Sequence, residues 1–283
     1  MGKAYGIMGC LEHYSKKHNC AKVRVRSPSE IPRLRDKLKL RMRMVFSADI
    51  MYPFRYLYDK EIGSFVNVTF TEENEVKHIE RCSAFQPKLK VMTFDIEASL
   101  RTKELYCIAA QINGEEGVVF HGGEKEQIEQ FCNWVRYEDP DIINGYNIIG
   151  FDIPFLLKVC ERVGTTFAIG KNGEQPWSRE NKKMTYQRMR EWFLTGRIVV
   201  DTWQQVKQEL KPIQESLGFV GELLEVGSKD NIDASRIEDE WKNRRQEVID
   251  YCIQDVNVTY NVFMHDKIAS LDKSLAMSQA CDL

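Results

Sequence analysis

The period of apolar and polar positions changes near residue 90, and the chain divides there into a weakly patterned front and a strongly patterned body. The run Val91 to Glu97, VMTFDIE, reads as a strand: a period of two sets Thr93, Asp95 and Glu97 on one face and Met92, Phe94 and Ile96 on the other. Leu105 to Ile112 and Gly117 to Phe120 are the next strands, joined through Asn113-Gly114, a strong hairpin signal. Three antiparallel strands therefore open the body. Ile128, Phe131, Cys132 and Val135 recur at helical spacing within Glu124 to Val135, and Asp141 to Tyr146 is the following strand. A second helical pattern starts at Asp152, with Pro154 tolerated in its first turn. Asn172-Gly173 marks a hairpin or loop, and Gly196 to Asp201 (GRIVVD) is a strand. Trp203 to Glu225 is largely helical with a break near Pro212, and Glu238 to His265 reads as one long amphipathic helix.

Ahead of Val91 the signals are thinner. Lys22 to Arg26 alternates like an exposed strand, and Ser27-Pro28-Ser29-Glu30 offers a cap and turn before a helix over Ile31 to Leu40. Asp49 to Tyr58 is aromatic and broken by Pro53, and Phe65 to Phe70 alternates again. The expected division is a small partial α+β domain over 1–90, an α/β domain over 91–265 and a helical tail over 266–283. The order βββαβα, then a strand and helices, is that of a ribonuclease H-like α/β layer, a mixed sheet flanked by helices.

Composition narrows the class. A chain of 283 residues with 43% hydrophobic and 29% charged residues can bury a real core. No run of 18 or more apolar residues occurs and the opening lacks a signal-peptide core, so no membrane and a cytoplasmic location are expected. The eight cysteines show no CxxC and no regular spacing, which suits a reducing compartment better than a disulfide framework. Cys10, His13, His18 and Cys20 carry ligand-type side chains within eleven residues. Structural zinc sites usually separate two ligand pairs by a longer loop, so a polar surface segment is the plainer reading. Net charge is -2, yet nine Lys or Arg against two acids fall between Lys22 and Arg43, and seven against three between Lys171 and Arg197. Such runs are commonly solvated faces, but beside an acidic metal site they could steer a polyanion.

Three stretches carry chemistry together. Asp95 and Glu97 end the first strand of the body, where ligands of α/β sheets usually bind. NGYNIIGFD, residues 144 to 152, sets Asn147, Phe151 and Asp152 where a strand turns into a helix; alone, Asp152 would be an ordinary N-cap. YCIQD sets Tyr251 and Asp255 four apart, on one face of the last helix.

Together, these stretches resemble the three exonuclease motifs of the family B DNA polymerases, of the type with four acids and a tyrosine. SPSEIPRLRDKL and ADIMYPFRYLYDKEI look like the chain leading into that domain in archaeal members, and IGKNGEQP ahead of GRIVVD and the stretch after Ile268 are similar too; the likeness covers about residues 22 to 283. It implies a 3′ to 5′ exonuclease on DNA ends, a proofreading activity. Asp95, Glu97, Asp152 and Asp255 would be the acids and Tyr251 the tyrosine; Asn147 and Phe151 would contact the substrate. Four carboxylates suit two Mg²⁺ or Mn²⁺ ions about a phosphate. Lys171, Lys182, Lys183 and Arg197 are candidate contacts to the DNA backbone. Single-stranded DNA or a frayed primer 3′ end is the expected substrate, and a separate polymerase subunit a further partner.

The sequence departs from the family's pattern in places. Tyr137-Glu138-Asp139-Pro140-Asp141 superficially looks like a polymerase motif, but Pro140 stands where that motif has Thr, and no other polymerase motif is found. No nucleotide polymerisation is expected from this chain alone, and template-uracil sensing is in doubt. KPIQESLGFVGELLEVG, from Lys211 to Gly227, keeps only a loose likeness to the corresponding family segment. The competing readings are a catalytically idle module that holds single-stranded DNA or a polymerase partner, and a ribonuclease on the same layer. The four acids in place favour the nuclease, and the breadth of the likeness favours DNA.

Overall fold

The computed structural model describes residues 8–13, 16–21, 23–41, 45, 48, 56–57, 62, 66–82, 87–180, 190–227 and 237–268. Most of the aromatic stretch Asp49 to Tyr58, the residues Lys182 and Lys183, and the tail beyond Ile268 lie outside them. The chain forms two compact units, one within the first 85 residues and one over Gln86–Met277.

The first unit contains two antiparallel pairs, β1 (Met8–His13) with β2 (Lys16–Ala21) and β3 (Val66–Phe70) with β4 (Val76–Arg81), and helix α1 (Glu30–Leu40). Ser27 to Glu30 makes the expected turn, closed by the Glu30 amide on the Ser27 carbonyl. Cys10 and His13 fall on β1, His18 and Cys20 on β2, and their side chains lie outside the description. The strand expected from Lys22 does not form over Val23 to Val25, which are irregular. Alternation alone makes no strand where no edge pairs with it.

The second unit is built on a five-stranded mixed sheet. Its strands are β5 (Val91–Ala98), β6 (Leu105–Ile112), β7 (Val118–His121), β8 (Ile142–Gly145) and β11 (Ile198–Asp201), in the order β11-β8-β5-β6-β7. β5, β6 and β7 are antiparallel neighbours, whereas β8 lies parallel to β5 and β11 parallel to β8. Asn113 (φ 50) and Gly114 (φ 80) make the hairpin turn in the left-handed region, where Asn and Gly are tolerated. A separate hairpin pairs β9 (Trp177–Glu180) with β10 (Arg190–Phe193).

Helices cover both faces. α2 (Glu124–Glu138) and α3 (Asp152–Val163) bury Phe131, Val135, Leu156 and Val159 against Met92, Phe94 and Ile96, the even-numbered face of β5. Each fully buried side chain of this size contributes about 1.5–3 kcal/mol. On the opposite face α7 (Arg245–Met264) sets Cys252 and Val256 on Cys107 and Ala109 of β6. Three short helices complete the unit: α4 (Thr202–Glu209), α5 (Leu217–Leu223) and α6 (Ile237–Asn243). This is the ribonuclease H-like mixed sheet, flanked by helices, that the sequence predicts. The long helix expected over Glu238 to His265 is two helices, because Arg244 (φ -140, ψ 49) leaves the helical region while its guanidinium ties Glu240 on one side to Glu247 on the other.

Candidate active site

β5 outruns β8, and that mismatch makes the site. Pairing of β5 with β8 stops at Thr93 opposite Asn144, so the edge of β5 beyond Thr93 is free of a parallel neighbour. The chain turns away at Gly145, where a β-carbon would lie 2.8 Å from the Phe94 carbonyl. It returns at the start of α3, bringing Asp152 to the open edge. Asp95 and Glu97 project from the other, odd-numbered face.

Asp95, Glu97 and Cys252 of α7 present ligand-type atoms within 4.8 Å of one another. The Cys252 thiol is 3.7 Å from the Asp95 carbonyl and 3.8 Å from its Oδ2, as a donor to both. Burial, then the neighbouring Cys107 and the charges of Asp95 and Glu97, raise the Cys252 pKa well above the usual thiol value. Cys252 is therefore a protonated donor to Asp95. Tyr251 and Asp255 flank it on α7 and are buried as well.

Asp152 is 2% exposed and is the first residue of α3, with Phe151 at the cap position, so it is not the N-cap. Its Oδ1 is buried without a hydrogen-bond partner among the described residues. Burial pushes its pKa up to about 7 and the nearby Asp201 charge adds to this; its own amide and that of Ile96 pull the other way. A carboxylate so shifted in a cleft is a functional candidate on physical grounds.

Asp201 is the residue that sequence reasoning missed. It ends β11, is 4% exposed, and caps α4 by accepting from the Trp203 amide at 3.1 Å. Its two oxygens also accept the amides of Asn147 (2.9 Å) and Ile149 (3.1 Å), in the loop between β8 and α3. Burial raises its pKa against these amides. Its position at the end of GRIVVD, beside the strand that carries NGYN, was the signal available. Beneath the loop, the Thr202 hydroxyl donates to Asn144 Oδ1 (2.6 Å) and the Asn144 amide to the Thr93 hydroxyl (3.1 Å), all three residues fully buried.

Asn147 and Phe151 stand in that loop. Asn147 adopts φ 65 and lays its carboxamide over Gly150, while the half-buried Phe151 ring packs on Phe155 at 5.6 Å. Lys171 and Arg197 are elsewhere. Lys171 pairs with Asp139 (3.2 Å) and Asp141 (3.7 Å) at the amino end of β8, whereas Asp95, Glu97 and Asp152 mark the carboxyl ends. The Arg197 side chain is 2% exposed and donates to the carbonyls of Ile169 and Pro140 and to Asp139, so it presents no group to a phosphate.

Residues 101–218 match the family model for the exonuclease domain of DNA polymerase family B. The DNA polymerase of Archaeoglobus fulgidus is 27% identical over 254 residues, which is 82% of this chain and 31% of that protein. Over residues 101–218 the chain is similar to the exonuclease domain of family B DNA polymerases. The DNA polymerase of Thermococcus kodakarensis is likewise 27% identical, over 83% of this chain and 14% of its own length. The chain thus spans a third or less of these relatives. The fold is similar to that of the family B DNA polymerase from the hyperthermophilic archaeon Pyrobaculum calidifontis, with a TM-score of 0.71 at 21% identity over 98% of this chain and 39% of that one. The family match contains Asp152 and Asp201 and lies between the acids of β5 and the pair on α7. Among the described residues, no helix is long and apolar enough to cross a membrane.

Proposed function

We propose that this chain is a divalent-metal-dependent 3′ to 5′ exonuclease that removes nucleotides from DNA ends, the proofreading part of a family B DNA polymerase. What supports the reading is the Asp95 and Glu97 pair at the end of β5 together with the buried, unpartnered Asp152 oxygen at the start of α3, in a chain whose residues 101–218 match the exonuclease domain of this family.

The donor set fits Mg²⁺ or Mn²⁺. Asp95, Glu97, Asp152 and Asp255 are hard oxygen ligands, and a cation would answer the orphaned Asp152 Oδ1, whose carboxylate burial otherwise disfavours. Cys252 supports Asp95 as a hydrogen-bond donor and is no ligand for these hard ions. When bound, two such ions would lower the pKa of an attacking water and stabilise the 3′ oxygen as it leaves.

The chain's own residues supply orientation. A phenol is a poor general base at neutral pH, so Tyr251 would serve by holding the water in line. Phe151 offers a ring face to the terminal base, a contact indifferent to sequence. Asn147 meets the same nucleotide. A frayed end reaches the loop at a lower unpairing cost than a paired one, which favours mismatched termini. Of the four basic residues expected along the DNA backbone, Lys182 and Lys183 remain in the proposal; Lys171 and Arg197 leave it. A separate polymerase chain is the partner this role calls for, and the cytoplasm the compartment.

Digestion of 5′-labelled single-stranded DNA tests it. The expected product is a one-nucleotide ladder receding from the 3′ end, faster from a mismatched terminus and abolished by EDTA. Internal cuts, or a ladder insensitive to EDTA, would contradict the proposal.

A further inference from the structure

Asp201 is a buried acid whose carboxylate is held by backbone amides from two separate segments of the chain. Its oxygens accept the amides of Asn147 and Ile149, from a loop more than fifty residues earlier in the chain, and of Trp203, from its own helix. The two loop amides belong to Asn147 and Ile149, five and three residues ahead of Asp152. The loop is also held from outside, since the Trp192 indole donates to the Ile149 carbonyl at 3.1 Å. Asn147 needs that support: its left-handed φ of 65 is uncommon for a residue other than glycine. An anion with two oxygens can fix both amides at once, which a neutral side chain of the same shape cannot do.

We infer that Asp201 is a positioning residue of the exonuclease: by clamping the Asn147 and Ile149 amides it sets the path of the loop and so the placement of Asp152 and Phe151. The inference rests on the proposed nuclease activity. The role assigned to Asp201 is exerted through the loop, since its oxygens are engaged by backbone amides. Asp201→Asn keeps the shape but turns an amide hydrogen toward a backbone donor on one side, so one of the two loop amides loses its acceptor.

The full 283-residue chain and its Asp201→Asn variant would be compared in two ways. Hydrogen exchange, read by mass spectrometry, should accelerate at least tenfold across residues 145–152 in the variant and stay unchanged across β6. Steady-state digestion of single-stranded DNA should lose roughly 10- to 100-fold in kcat, with KM for DNA within about twofold and a raised half-saturating Mn²⁺ concentration. Exchange and kcat both within twofold of wild type would overturn the inference, as would faster exchange without a fall in kcat. Equal acceleration in β6 would overturn it too, since Asp201 would then support the whole unit. A wild-type chain that releases no nucleotide sinks the nuclease reading, and Mn²⁺ binding by water proton relaxation then decides the positioning role alone.

Discussion

Asn144→Leu is the most informative single change beneath the site. Asn144 is fully buried and joins Thr93 on β5 to Thr202 at the start of α4, donating at 3.1 Å to one hydroxyl and accepting at 2.6 Å from the other. Leucine keeps the size but removes both partners, and both threonines are themselves fully buried. A buried polar group left without its partner costs roughly 1–3 kcal/mol. Two such groups put the loss at about 2–6 kcal/mol, a large share of a domain's typical net stability. Urea unfolding followed by circular dichroism would read it as a fall in midpoint at constant slope. Combining Asn144→Leu with Thr93→Val and Thr202→Val should recover part of the loss, because replacing all partners by apolar groups of like shape removes the unsatisfied hydroxyls. A loss below about 1 kcal/mol for the single change, or no recovery in the triple variant, would refute the reasoning that this polar chain fastens β5, β8 and α4.

Other consequences can be measured directly. The Asp152 pKa, raised to about 7, gives a stability contribution fully present below the unfolded value near ~4 and lost as pH rises through about 7. In EDTA the wild type should therefore weaken relative to Asp152→Asn between pH 5 and 8, and Mn²⁺ should raise its Tm more at pH 8 than at pH 5.5; a Mn²⁺ shift independent of pH would count against it. Arg197→Met should cost stability on the order of 3 kcal/mol through its lost carbonyl and carboxylate bonds, yet leave KM for DNA unchanged, whereas a backbone-contact role would raise KM. The buried thiols of Cys132 (pKa pushed up to about 12 by burial), Cys160 (about 11) and Cys252 should react with a maleimide only on unfolding; labelling of Cys252 in the native state would contradict its place under Asp95.

The strands around the site were readable because their faces differ. In VMTFDIE a period of two separates Met92, Phe94 and Ile96 from Asp95 and Glu97, and the structure packs the first set under α2 and α3. Asn113-Gly114 fixed a turn by backbone chemistry that few other pairs satisfy. What escaped reading acts across distance. Asp201 engages amides more than fifty residues away, and amides leave no mark in a sequence. Cys252 gains its meaning from the Asp95 carboxylate it faces. Arg197 sits in a basic stretch and so reads as surface, whereas carbonyls of Ile169 and Pro140 draw it inside. The break at Arg244 lacks glycine or proline, and Val23 to Val25 alternate yet pair with no strand among the described residues.

The most direct test of the account removes the charge of one oxygen pair. Asp152→Asn leaves shape and burial nearly unchanged while taking away the carboxylate that a metal would need. Digestion of 5′-labelled single-stranded DNA in Mn²⁺ by the folded variant should fall to the level seen with EDTA. A variant that shortens the strand at the wild-type rate would contradict a nuclease centre at the ends of β5 and α3.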